Sequence, residues 1–215
     1  MSSLFIEAAV ESIGGVLAAD AEGVDRIELC GLLHEGAVTP SLGLITCALA
    51  SVRTPIHVFI RPRIGDFVYD RHDVAVMLED IAAAKTAGAP GVVFGALTRN
   101  SQIDRALMLE LIAAARPMTV GFHRAFDNLA DQGAGLETLI ELGVAVVLTS
   151  GGQARALDGA ARLKELVEQA SGRIDILAGG GITSENVAEL LERSGVTQVH
   201  GKAFAGLRAA AETRP

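Results

Sequence analysis

The chain alternates between two kinds of segment, and that rhythm limits the folds open to it. Short apolar runs rich in β-branched residues recur eight times, each followed by an Ala-, Leu- and Glu-rich stretch with helical period. The runs fall at residues 4–9, 26–30, 56–61, 91–95, 118–123, 145–149, 174–178 and 197–201. Between them lie predicted helices at 43–52, 74–87, 105–115, 136–142, 156–170 and 184–194, with a short last one over 204–211. Within the 74–87 helix, Val76, Ile81 and Ala84 fall roughly on one stripe, which is expected to face the core. Gly23, Gly88, Gly143 and Gly195 stand where helices should end.

Parallel strands need a crossover, usually a helix, so βα alternation predicts a parallel sheet. Eight such units favour a closed barrel. An open dinucleotide-binding sheet would carry a GxGxxG turn after its first strand, and Ala9-Val10-Glu11-Ser12-Ile13-Gly14-Gly15 does not supply one. No linker or low-complexity tract interrupts the 215 residues. The expected fold is α/β: a single-domain (β/α)₈ TIM barrel over residues 1–215, with a short final helix. That short cover predicts a neighbouring subunit, hence a homo-oligomer.

Composition narrows the partners. Half of the residues are hydrophobic but only 4% are aromatic, so Val, Ile, Leu and Ala must build the core. A formal charge of −8 argues against nucleic acid and anionic membranes, which reward clustered cations. No run of about 18 apolar residues suits a membrane span, and Met-Ser-Ser-Leu-Phe-Ile-Glu has no basic leader region. The two cysteines, Cys30 and Cys47, show neither CxxC nor zinc spacing and read as reduced thiols. The expected location is the cytoplasm.

In a barrel of this kind, working side chains gather at the C-terminal ends of the strands. Those positions hold Glu7, Glu28 with Cys30, His57 with Arg61, His123, Thr149 with Ser150, the Gly179-Gly180-Gly181 run and His200. Arg63, Asp66, Arg124 and Asp127 follow in the loops. Period-two alternation puts Arg26, Glu28 and Cys30 on one face, and His57, Phe59 and Arg61 on another. If both faces point inward, Glu28 and Arg61 meet, either as a satisfied core ion pair or as part of a site. In the second case Arg61 and Arg63 fork an anionic or carbonyl oxygen, and Glu7 or Glu28 serves as acid/base.

Phe122-His123-Arg124-Ala125-Phe126-Asp127 places a proton shuttle, an anion clamp and an orienting carboxylate within six residues. A core histidine bonded to a strand carbonyl would look the same. The runs Ser150-Gly151-Gly152 and Gly179-Gly180-Gly181 either turn N–H groups toward a phosphate or are tight turns. Thr39-Pro40-Ser41 reads as a loop leading into a helix N-cap. For copper, Cu(I) prefers soft ligands. Cys30 stands near the mouth and Cys47 within a helix, so the two would approach only if that helix leans over the second strand.

Several segments in combination resemble the CutC copper homeostasis family: Gly23-Val-Asp-Arg-Ile-Glu-Leu-Cys30, Glu35-Gly-Ala-Val-Thr-Pro-Ser-Leu-Gly43, Ile60-Arg-Pro-Arg-Ile-Gly-Asp-Phe-Val-Tyr69, Gly121-Phe-His-Arg-Ala-Phe-Asp127 and Leu148-Thr-Ser-Gly-Gly152. The likeness runs from about Glu7 to about His200. It implies a (β/α)₈ barrel, a cytoplasmic location, self-association and a part in copper handling, with copper as the cofactor or cargo and Cys30 and Cys47 as its candidate ligands. Ile64 stands where relatives often have Gly, and Lys202 adds a cation after the last strand.

Three readings follow. In the first, the chain serves copper homeostasis and binds Cu(I) weakly through Cys30. In the second, it is a barrel enzyme for a small anionic or polyhydroxylated metabolite. There Glu28 and His123 move protons, Asp127 orients a partner, and Arg61, Arg63, Arg124, Ser150, Glu7 and His200 bind the substrate. A hard divalent metal on Glu7, Glu28 and His123 is a variant of this reading. In the third, the chain is a scaffold or chaperone working through an oligomer face.

Overall fold

A computed structural model describes residues 4–212. Its eight parallel strands close into a barrel in sequence order. They are β1 (Phe5–Val10), β2 (Arg26–Leu29), β3 (Ile56–Phe59), β4 (Gly91–Phe94), β5 (Thr119–Phe122), β6 (Val146–Thr149), β7 (Asp175–Gly179) and β8 (Gln198–Gly201). The helices are α1 (Ile13–Glu22), α2 (Leu42–Ser51), α3 (Arg71–Thr86), α4 (Arg105–Ala115), α5 (Gln132–Glu141), α6 (Ala160–Ala170), α7 (Val187–Ser194) and α8 (Leu207–Glu212). This is the expected TIM barrel, and each strand lies within two residues of its sequence-derived bounds. Residues 1–3 and 213–215 lie outside the described residues.

Helix starts differ most from expectation, and the capping chemistry explains why. Asp70 caps α3 with a reciprocal box to Asp73, so α3 begins before Val74. Asp131 accepts from the Ala134 N–H and starts α5 a turn early. By contrast, Ala156 does not open α6: its N–H donates to the Gly180 carbonyl, which ties that stretch to the next βα loop. Ser41 caps α2 as expected. Gly23, Gly88, Gly143 and Gly195 all take the left-handed conformation that ends helices.

Each strand has two apolar faces of different kinds. Ile27, Val58, Val92, Phe122, Val147 and Val199 point outward into the main core beneath the helices. On α3 that core receives Met77, Ile81 and Ala84. Val76, expected on the stripe, is exposed, because Met77 takes the inward position. Inside the barrel two small clusters form, one of Cys30, Ala37, Phe59 and Val93, the other of Val146, Leu148 and Leu177. The remaining interior is polar: Glu7, Glu28, His57 and His123 are all buried.

The taper of this interior is set by small residues opposite large ones. Gly91 is paired with His57 across β3 and β4. A Cβ at Gly91 would overlap the imidazole. Gly91→Ala should therefore lower the unfolding free energy by about 1–3 kcal/mol, as overpacked cores do; a lower denaturation midpoint at an unchanged slope would show it.

Candidate functional site

The polar interior begins where the barrel closes. Glu7 on β1 is in register with Arg26 on β2 and His200 on β8. Its Oε2 accepts a short bond from Arg26 Nε, and its Oε1 lies 2.7 Å from His200 Nδ1. Burial alone would raise the Glu7 pKa; the hydrogen bond from His200 and the positive charge of Arg26 outweigh it and hold the carboxyl down at about 2. Across the His200 ring, Nε2 faces Glu28 Oε2 at 3.8 Å. Burial opposes the charge on His200, but Glu28 and Glu7 prevail and raise its pKa.

Glu28 is the unbalanced member. Burial lifts its pKa to about 7, against the pull of His200 and with the repulsion of Glu7. Its Oε2 accepts from Cys30 Sγ at 3.4 Å, while the buried Oε1 has no partner among the described residues. Burial, and then the Glu28 carboxylate, push the Cys30 thiol well above the usual range.

Above these groups lies a cavity of about 440 Å³. Glu28, His200 and His123 line it with Phe59, Phe67 and Leu148, and Arg124, Thr183 and Lys202 bring polar groups to its walls. His123 stacks on Phe59 with centroids 5.1 Å apart and lies 4.9 Å from Phe67. Burial, then the charge of Arg61, lowers its pKa to about 3, so the ring is neutral. Its Nδ1 accepts the Ala125 N–H at 3.2 Å, which leaves the proton on the buried, unpartnered Nε2. His57, below, is also held neutral by burial, at about 4.

The other sequence-derived candidates divide. Arg61 does not meet Glu28: it lies beyond the end of β3 and turns into the loops, where it donates to the carbonyls of Gly36, Ala37 and Gly65. Its guanidinium covers Phe67 at 4.6 Å. Arg63 does not form a fork with it, because Arg63 pairs with Asp66 and Asp73 in a separate outer groove. Asp127 is fully engaged, accepting from Thr149 Oγ1 at 2.6 Å, from the Ser150 and Gly152 N–H groups, and from Arg124 Nε at 2.7 Å. Ser150 Oγ accepts from Arg124 and donates to Asp127 and to the Gln153 carbonyl. Cys30 sits inside the barrel, whereas Cys47 is exposed on α2, outside the wall. The Glu7, Glu28 and His200 ligand atoms lie within 4.8 Å of one another; His123 is not in that group.

Sequence reasoning passed over Arg26, although its place on the face shared with Glu28 and Cys30 was visible. It also passed over Arg155, for which the sequence offers no signal.

The sequence profile of the CutC family matches residues 4–205. The chain belongs to the CutC family. A human relative, named copper homeostasis protein cutC homolog, is 48% identical over 199 residues, spanning 93% of this chain and 73% of the human one. A CutC family protein of Mesorhizobium japonicum is 47% identical over 203 residues, spanning 94% and 78% of the two chains. The crystal structure of CutC from Streptococcus agalactiae superposes with a TM-score of 0.89 at 33% identity, covering 94% of this chain and all of that one. An aldolase, QR15, matches at a TM-score of 0.69 and 15% identity over 97% and 93% of the chains, which shows the barrel alone. Among the described residues no helix is long and apolar enough to cross a membrane.

The two carboxylates give stability of opposite pH dependence. Glu7, with its folded pKa depressed to about 2, stabilises above the unfolded value of 4.5 and loses that contribution as pH falls from there toward 2. Glu28, with its folded pKa raised to about 7, holds a proton that the unfolded chain releases, so stability falls as pH rises from 4.5 to about 7. Glu28→Gln should thus be more stable than wild type above pH 7 and close to it near pH 4.5, in denaturation curves recorded across pH.

Proposed function

We propose that the chain takes part in copper homeostasis, the role carried in the names of its relatives, through an acid/base site for a small polar metabolite and not through a thiolate copper centre. One observation carries this reading: Glu28 is a buried carboxyl with a pKa near neutrality and a free oxygen, on the lining of a cavity of metabolite size. A carboxyl poised there can give or take a proton at physiological pH. His200, whose pKa Glu28 and Glu7 raise against burial, supplies the second proton-bearing group. Neutral His123 offers an N–H, through Nε2, to a carbonyl or hydroxyl oxygen. Arg26 acts beneath, holding Glu7 ionised so that His200 stays fixed.

The donors present do not form a two-thiolate Cu(I) site. Cys30 is a sealed, protonated thiol, and Cys47 is on the other side of the barrel wall. Direct copper binding stands as the second reading because the Cys30 sulfur lies beside Glu28 on the inner face. A divalent ion on Glu7, Glu28 and His200 would have to compete with Arg26 for Glu7 and with the proton of His200. The same proposal takes the chain to be cytoplasmic and self-associating, the first in keeping with its acidic charge and unpaired thiols and the second with its family.

Two measurements on purified protein separate the readings. Competition for Cu(I) against a chromogenic chelator, under reducing conditions, should show weak binding that Cys30→Ser leaves unchanged. Native mass spectrometry should show a small molecule retained by wild type and lost in Glu28→Gln. Tight, stoichiometric Cu(I) binding that collapses in Cys30→Ser would overturn the acid/base reading in favour of the thiol.

A further inference from the structure

Two glycine runs follow strands in this barrel, and their backbone donors have different fates. After β6, the N–H groups of Ser150 and Gly152 point at the Asp127 carboxylate, and that of Gly151 at Thr149 Oγ1. The anion there is built in. After β7 no carboxylate among the described residues accepts from the Gly181 or Ile182 N–H groups. The Gly180 carbonyl is turned outward to accept from Ala156 at 2.9 Å, and the Gly181 carbonyl accepts from Asn186 Nδ2 at 2.8 Å. Both peptides are trans, so the N–H groups of Gly181 and Ile182 point the opposite way. Both residues line the cavity, and among the described residues these two N–H groups donate to nothing. The N–H of Ala203, on the facing loop after β8, is likewise free, and Ala203 also lines the cavity.

Two cations flank these donors in a chain of net charge −8. Lys202 lines the cavity and reaches across it to the Leu33 carbonyl at 2.9 Å. Arg155 lies along Gly181, its Nε 3.5 Å from where a Cβ on that glycine would stand; among the described residues its side chain has no acidic partner. Gly181 holds this turn at φ +66°, a left-handed backbone that residues with a side chain rarely adopt. Backbone N–H groups without acceptors on one cavity wall, with a cation on the lining and another beside Gly181, suit a compact, multiply charged oxyanion.

We propose that the loops after β7 and β8 bind the phosphate of a small phosphomonoester, held by the N–H groups of Gly181, Ile182 and Ala203 and by Arg155 and Lys202, with the rest of the molecule reaching toward Glu28 and His200. The inference rests on the acid/base reading of the same cavity and names its substrate class. The apolar walls between the two ends, Leu148, Phe59 and Phe67, pack the carbon skeleton.

Inorganic phosphate is the probe, titrated into the full chain and followed through its backbone amide resonances at constant ionic strength. Saturable shifts are expected at Gly181, Ile182 and Ala203. Affinity should fall about tenfold in Lys202→Gln and in Arg155→Gln, and recover in Lys202→Arg, since each cation contributes a charge-assisted bond. Thermal melts establish that the variants are folded, and the wild-type titration stands without them. Glu28→Gln should bind phosphate as wild type does. Absence of saturable shifts at these amides overturns the inference, as does equal binding of acetate, which would make the cradle a general carboxylate site. If phosphate fails while Glu28 still governs retention of a metabolite, only the substrate class falls. If phosphate binds and no Glu28-dependent molecule is found, the cradle stands and the acid/base reading falls.

Discussion

Glu7 sits at the seam of the barrel, on the strand that pairs with both β2 and β8. An ionised carboxylate so deep is tolerable only when fully partnered, and Arg26 and His200 provide that from the two flanking strands. The last partner joins residues 193 positions apart, so the charge cluster and the closure of the sheet are one event. The rest of the interior follows from it. With Glu7 ionised, His200 is drawn into its charged form. Glu28 then feels one cation and one anion that largely offset each other, and burial decides its state. Removing Glu7 would change the chemistry of Glu28 without touching it.

Much of this was legible in the sequence because the periods of strand and helix differ so clearly. All eight strands lie where the alternating segments place them, and the faces of β2 and β3 that carry Glu28 and His57 are buried. What alternation cannot give is the reach of a side chain beyond its strand. Arg61 shares a face with His57, yet it stands two residues past the end of β3, where loop carbonyls capture it before Glu28 can. Arg63 left the mouth for the same reason: two nearby carboxylates, Asp66 and Asp73, were closer partners. Helix starts were misjudged where apolar period was weighed above capping, as at Asp131. The place of Arg155 depends on how two separate loops meet, and no local pattern encodes that.

The same alternation sets the surroundings of the cysteine placed at the end of the second strand. Facing inward, Cys30 is enclosed by Ala37, Phe59 and Val93 and donates to a carboxylate. Both surroundings favour the protonated thiol, and the thiolate is the form that binds Cu(I). Cys47, on the outer face of α2, is accessible but has the barrel wall between it and Cys30. Soft-metal chemistry and proton chemistry make opposite demands on this interior, and the buried Glu28 beside Cys30 supports the second.

The position of Asp127 bears on how the mouth is organised. Its carboxylate takes up the donors after β6 and fixes Arg124 beside them, so the β6 loop is rigid and electrically closed. A bound anion cannot compete there, since it would have to displace a covalently tethered one that already has its full set of bonds. The loops after β7 and β8 lack such a residue, and their donors remain turned toward the cavity. The donors on one side of the mouth are therefore matched by a tethered carboxylate, while on the other Lys202 meets only a backbone carbonyl. On the proposed phosphate assignment, a molecule with one anionic end lies with its uncharged end over Glu28.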